Sequence, residues 1–339
     1  MRTVETHMNS ESAHGYRPCI IIPGIGQSRV IETDENGEKI RNLWPFDPDI
    51  DALVKSIAPS AARMMLLRRD CGFTAALDRA VRTMLEPLSC TPDSMRKVRA
   101  EVVGYYRPVG ECTAGEKRYI YKMVPLNALA DIIGEENLYF FAYDIFGRAD
   151  ENARLLREFI AMVKEQRQCE KVDLIPVSMG ATVAEMYFEL YGADQDVKRV
   201  IAADLVAGDI NTYDCDALLE MLLSRREAEK ISKLMHMMPK KVADGAFRAL
   251  VRAACESVVV NSSAMWGIIP SERYPALRDK YLGDSAHDAM RAVTDRHWRI
   301  RRNIKELVRR EQERSVEFYN ICGCGKRLAP IAVSDSLTS

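Results

Sequence analysis

No apolar run in this 339-residue chain approaches the roughly 20 residues needed to cross a bilayer, so a membrane-spanning helix is not expected. Residues 1–17 contain no apolar h-region, so the sequence as written carries no secretory signal. The cytoplasm is the default location, with secretion the alternative if a signal peptide once preceded Met1. Charge of one sign is lacking too. A formal net charge of −1 gives no global field for nucleic acid, and none is expected as a partner. Cysteine offers no framework: the nine are scattered and odd in number, which suits a reducing compartment. Cys322-Gly323-Cys324 is the one close pair; it is not C-x-x-C, and no second pair stands at zinc-like spacing. No metal or cofactor is expected. Phosphate loops are absent as well, because Gly24-Ile25-Gly26-Gln27-Ser28-Arg29 fails G-x-G-x-x-G and no Walker sequence occurs.

What is present is a repeated strand–helix pattern. Pro18–Ile22 is a β-branched run ending in the tight loop Pro23-Gly24-Ile25-Gly26, and Asn137–Asp144 and Lys171–Val177 read as buried strands. Helices are expected at about 150–163, with Asp150 as N-cap, and at about 181–191, followed by a strand at 197–206. Short connections between these elements imply a parallel sheet with right-handed crossovers, hence an α/β fold. Two helical stretches are expected between Asp47 and Leu85, interrupted near Asp70–Gly72. A hairpin is expected between Val102 and Met123, around Gly110–Gly115. Residues 214–314 read as helical and 316–322 as one more strand, so the helical block is a cap inserted into a single domain spanning 1–339.

The chemistry points to Val177-Ser178-Met179-Gly180, where a buried strand turns abruptly into a helix. A nucleophile elbow requires that arrangement, because the sharp turn lifts the serine Oγ above the sheet. The helix N-terminus favours a developing oxyanion. The Met179 amide supplies one donor, and the Gly24–Gly26 loop is placed to supply the other. The pentapeptide is imperfect, with Pro176 at the first glycine position of G-x-S-x-G. A Ser-x-Gly at a strand–helix turn also arises by chance, so the elbow is weighed against an ordinary βα turn.

Several longer segments carry a resemblance: CIIIPGIGQS (19–28), LWPFD (43–47), FAYDIFGRADENARLLREFI (141–160), KVDLIPVSMGATVAEMYFELY (171–191), SSAMWGIIPSERYPALRDKYL (262–282) and YNICGCGKRLAP (319–330). In this order they resemble the lecithin:cholesterol acyltransferase family of α/β-hydrolases, in its bacterial branch. The resemblance implies an α/β-hydrolase fold, a mobile lid, and acyl transfer from a lipid or other apolar ester through an acyl-serine. It implies Ser178 as nucleophile, with the amides of Ile25 and Met179 as oxyanion donors.

The departures from the family are equally specific. There, the catalytic acid and then the histidine follow the strand corresponding to 316–322. Here only residues 323–339 follow, and the five histidines all lie earlier. Asp335 is the one carboxylate side chain in that tail and so the positional candidate for the acid. The expectation is a family member that lacks its last strand and catalytic loop, and without a general base serine is a poor nucleophile at neutral pH. Among upstream histidines, His236 lies in the cap, His287 sits in helical, charged surroundings, and His297 beside Trp298 is the best stand-in. Asp204 and Asp209, near the end of a strand, could orient a histidine but read first as sheet-end caps. The Met/Leu stripe from Ala217 to Met238 suits an acyl chain, though such a stripe reads first as core. Arg299–Arg314 sets arginines over an apolar face, which suits peripheral contact with an anionic membrane surface as well as a solvated helix. The rival from another class is a non-catalytic lipid-binding or interaction module of the same fold.

Overall fold

In the computed structural model, residues 15–203 and 238–321 are described. Five strands form a parallel sheet in the order β5 (Leu138–Phe140), β1 (Cys19–Ile22), β6 (Val172–Pro176), β7 (Val197–Ala203) and β8 (Glu317–Ile321). The run Cys-Ile-Ile-Ile is buried along its whole length, as a strand flanked on both sides and covered on both faces must be. Its alternate side chains enter different cores. Ile20 and Ile22 join Leu174 in the core built with α5 (Ala149–Arg167) and α6 (Gly180–Tyr191), through residues such as Leu156, Ile160, Val183 and Tyr187. Cys19 and Ile21 face the opposite side, where α3 (Ala114–Met123) and α4 (Asn127–Ile133) contribute Ile120 and Ile133. The result is a sheet between two helical layers.

After β1 the chain leaves for the β5 side of the sheet; α5 then returns it across β1 to β6, and α6 carries it on to β7. The direction of winding therefore reverses between β1 and β6. In open α/β sheets the crevice beyond the carboxyl ends of such a strand pair is where ligands bind.

A second, antiparallel sheet orders β3 (Lys39–Trp44), β2 (Val30–Thr33) and β4 (Ala100–Val102). Between β3 and β4 run α1 (Ile50–Leu67) and α2 (Phe73–Leu85), broken at residues 68–72, where Arg68, Cys71 and Gly72 take positive φ. That break is where the sequence placed it.

Two local expectations give way. Instead of a hairpin, β4 leads to a helical turn at Val109–Glu111 and then to α3. Thr113 and Glu116 form a reciprocal capping box that starts a helix where polar alternation suggested a strand. The N-cap of α5 is Arg148, not Asp150; Asp150 sits in the first turn and pairs with Arg148 at 2.7 Å.

Between β7 and β8 the described residues 238–316 form helices and no strand: α7 (Lys240–Ala254), α8 (Ser263–Trp266), α9 (Tyr274–Tyr281), α10 (Asp288–Arg302) and α11 (Ile304–Glu313). They divide in two. α8 lies beyond the end of β5, where the Ser263 hydroxyl accepts from the Ala149 amide at 3.0 Å and the Ala264 amide donates to the Gly147 carbonyl at 3.2 Å. α10 and α11 instead pack on α6, beside the sheet. Residues 214–237, with most of the Met/Leu stripe, lie outside the described residues. Met238, at its end, packs with Ile57, Met64 and Phe73 in the cluster between α1, α2 and α7.

Candidate active site

Ser178 is the hinge of the β6–α6 turn. β6 keeps its register with β1 to the last residue, Pro176 opposite Ile22, and the Val177 amide still donates to the Ile22 carbonyl at 2.9 Å. The chain then reverses within one residue. Gly180 donates to the Val177 carbonyl at 2.8 Å and Ala181 to the Ser178 carbonyl at 2.9 Å. Ser178 adopts φ 49°, a conformation that a residue with a side chain takes only where its surroundings impose it. Pro176 is accommodated as the last strand residue, before the reversal begins.

Glycine at 180 is a steric requirement. A Cβ there would lie 2.1 Å from the Ile22 carbonyl oxygen and 2.9 Å from that of Pro23. The first turn of α6 therefore rests on the end of β1, which puts Ser178 beside the loop that leaves β1. At Gly24 a Cβ would stand 3.0 Å from the Ser178 Cβ. Sequence reasoning foresaw that the Gly24–Gly26 loop and Ser178 meet. The structure brings them into contact at Gly24.

That loop is braced from three sides. Gln27 turns back so that its Oε1 accepts from the Gly24 amide at 2.5 Å, while its Nε2 donates to the Met123 carbonyl at the end of α3 at 2.6 Å. The Trp44 indole donates to the Gly26 carbonyl at 3.0 Å and packs under Gly26, whose φ of 75° suits glycine. The Tyr143 hydroxyl donates to the Pro23 carbonyl at 2.9 Å, and the Tyr143 amide donates to the Ser28 hydroxyl at 3.1 Å. Burial drives the Tyr143 phenol far above its ordinary range, so it remains a neutral donor. Among the described residues, the amides of Ile25, Gly26 and Met179 donate to no protein acceptor. Both sides of the turn thus present N–H groups that no described acceptor takes, on a loop fixed by Gln27, Trp44 and Tyr143.

The base and acid are a different matter. His297 is on α10, 1% exposed, with Nε2 3.4 Å from Glu185 Oε2 on α6; neither ring nitrogen makes a hydrogen bond to any described group. It packs so closely on Gly267 that a Cβ there would lie 2.5 Å from Cε1. His287 is committed elsewhere, its Nδ1 2.6 Å from Asp284 and its Nε2 3.0 Å from Asn261. Neither is hydrogen-bonded to Ser178. His236, Asp204, Asp209 and Asp335 lie outside the described residues.

Sequence reasoning missed Gln27, Trp44 and Tyr143 as the braces of the loop. Gln27 adjoins the glycine pair, but its second partner is 96 residues away, and no local pattern announces such a bond.

No family model, curated protein or solved structure matches the chain.

Proposed function

We propose that the protein is an α/β-hydrolase-type serine hydrolase or acyltransferase acting on lipid or other apolar esters, with Ser178 as nucleophile. The observation that carries this reading is the left-handed Ser178 at a strand–helix turn, held against Gly24 by a glycine at 180 that admits no side chain. In the proposed reaction Ser178 Oγ attacks the ester carbonyl carbon. The electron pair of the C=O bond moves to oxygen, and the Met179 and Ile25 amides receive that charge. Collapse of the adduct expels the alcohol and leaves an acyl-serine. Water or a second alcohol then takes the acyl group and regenerates the serine.

The step that needs a partner is removal of the serine proton, since neither described histidine is bonded to Ser178. Asp335 remains the positional candidate for the acid. Without a histidine bonded to Ser178, such a site retains a residual ~10³–10⁴-fold over water from oxyanion stabilisation and binding. Short-chain nitrophenyl esters should therefore be hydrolysed barely above background. Adding a C-terminal segment with a strand and a histidine, of the kind the resembled family carries, should raise turnover sharply, and Ser178→Ala should abolish the gain. If the extended chain binds apolar esters yet hydrolyses none, the non-catalytic binding module is the correct reading.

A further inference from the structure

α10 and α11 carry a run of positive charge although the whole chain has a formal net charge of −1. Between Arg296 and Arg310 seven residues are lysine or arginine and one, Glu306, is acidic. Most of these cations are spent within the fold. Arg301 donates to the Gly267 and Ile269 carbonyls at 2.7 and 2.6 Å, and the Arg302 guanidinium lies over the Trp298 ring. Arg309 pairs with Glu306 at 2.6 Å, and Arg310 with Glu189 at 3.2 Å and the buried Glu311 at 3.1 Å. Arg296 and Arg299 are not spent in this way. Among the described residues neither pairs with a carboxylate; Arg299 Nε donates to the Asp295 carbonyl at 3.3 Å, one turn back on α10.

These two arginines share a cavity. Three residues apart, they stand on one side of α10, and that side lines a cleft of about 460 Å³ between α10, α11 and the end of α6. Its size falls among the ~300–1,000 Å³ of small-molecule sites. Ile300 and Leu307, both 5% exposed, give it an apolar lining. Its two carboxylates, Glu189 and Glu306, are already taken by Arg310 and Arg309. The cleft therefore offers an arginine pair without a counter-charge beside an apolar surface. Each guanidinium is a planar fork that binds oxyanion oxygens two at a time. A carboxylate would satisfy one such fork, whereas a phosphomonoester has close to two charges and three terminal oxygens, enough for both.

The geometry points to this cleft as the binding site of a soluble phosphomonoester, its phosphate held by Arg296 and Arg299 and its apolar body resting on Ile300 and Leu307. The site is separate from the Ser178 turn: Glu189 stands about 14 Å along the α6 axis from Gly180. It stands independently of the catalytic reading above.

The test is isothermal titration calorimetry of the full chain with phenyl phosphate, inorganic phosphate and phenol. Phenyl phosphate should bind saturably at one site, inorganic phosphate more weakly, and phenol not measurably. Arg296→Gln with Arg299→Gln should weaken phenyl phosphate binding by about tenfold or more, since charge-assisted hydrogen bonds are lost at both positions. Arg296→Lys with Arg299→Lys should recover only part of that loss, because lysine restores the charge but not the fork. Arg302→Gln removes a cation that lies over Trp298 rather than in the cleft, and should bind as the wild type does. Thermal melts without ligand report whether each variant folds; Arg299 is exposed, so Arg299→Gln alone replaces the double variant if that one unfolds. Ser178→Ala should also bind as the wild type does, so failure of the serine-hydrolase reading leaves this result standing. Absence of saturable phenyl phosphate binding, or equal binding by the wild type and the Arg296 and Arg299 variants, overturns the proposal. So does an equal loss in Arg302→Gln, which would indicate a diffuse positive field. Binding of dihexanoyl phosphatidate without binding of phenyl phosphate overturns it too, because the cleft would then take a lipid headgroup.

Discussion

Gly180 and Gly24 do opposite things with the same freedom. At 180 the absent side chain lets a helix touch the backbone of a neighbouring strand; at 24 it lets a loop touch the side chain of Ser178. Gly180→Ala must push backbone against backbone, with destabilisation at the upper end of the ~1–3 kcal/mol typical of overpacking, read as a lowered denaturation midpoint. Gly24→Ala meets softer neighbours at 3.0–3.4 Å and should cost less stability, but it presses directly on Ser178 and should slow acylation more than it destabilises. Equal effects of the two on stability would argue that the Gly24 contact is only packing. Ser178 and the two loop glycines were legible in the sequence because small residues after a β-branched run restrict the local geometry. Gln27, Trp44 and Tyr143 were not, because what matters about them is the distant backbone they grip.

Helix starts show where local patterns mislead. The segment before α3 alternates polar and apolar residues, but Thr113 and Glu116 satisfy two otherwise orphaned amides at once, and the helix wins. The bond from the Thr113 amide, followed by pairing with Arg107, lowers the Glu116 carboxyl from 4.5 to about 2. A carboxyl depressed by folding stabilises the native state above its unfolded pKa, and this contribution is lost as pH falls from about 4.5 toward 2. Glu116→Gln should therefore lower stability near neutrality by about 1 kcal/mol or less and flatten its decline over that acid range. Chemical denaturation across the range reads both effects; an unchanged acid slope would show that the ionised Glu116 carboxylate contributes nothing. α1 and α2, by contrast, were legible with their break, because helical spacing of apolar residues persists through each. What the sequence could not show is that half of the apolar surface of α1 faces outward, since periodicity does not say which face meets a neighbour.

Across the whole molecule, the alternation of strand and helix made the parallel sheet legible, and burial on both faces explains the unbroken apolar run of β1. The small β3-β2-β4 sheet was not legible: its outer strand is largely exposed, and no apolar pattern marks it. The described helices between β7 and β8, from residue 240 on, fall within the expected helical stretch, but their placement was not legible, some beyond the end of β5 and others against α6. Among the described residues no helix is long and apolar enough to cross a membrane. The reversal of winding between β1 and β6 brings Ser178 and the Gly24–Gly26 loop to the crevice where such folds bind ligands. The most direct measurement is therefore exposure of the protein to a fluorophosphonate, with the adduct mapped by mass spectrometry in the chain as it stands and in the histidine-bearing extension. The expected result is a single adduct on Ser178, slow or undetectable in the first, rapid in the second, and absent from Ser178→Ala. An adduct on any other residue, or none even after extension, would contradict Ser178 as the nucleophile.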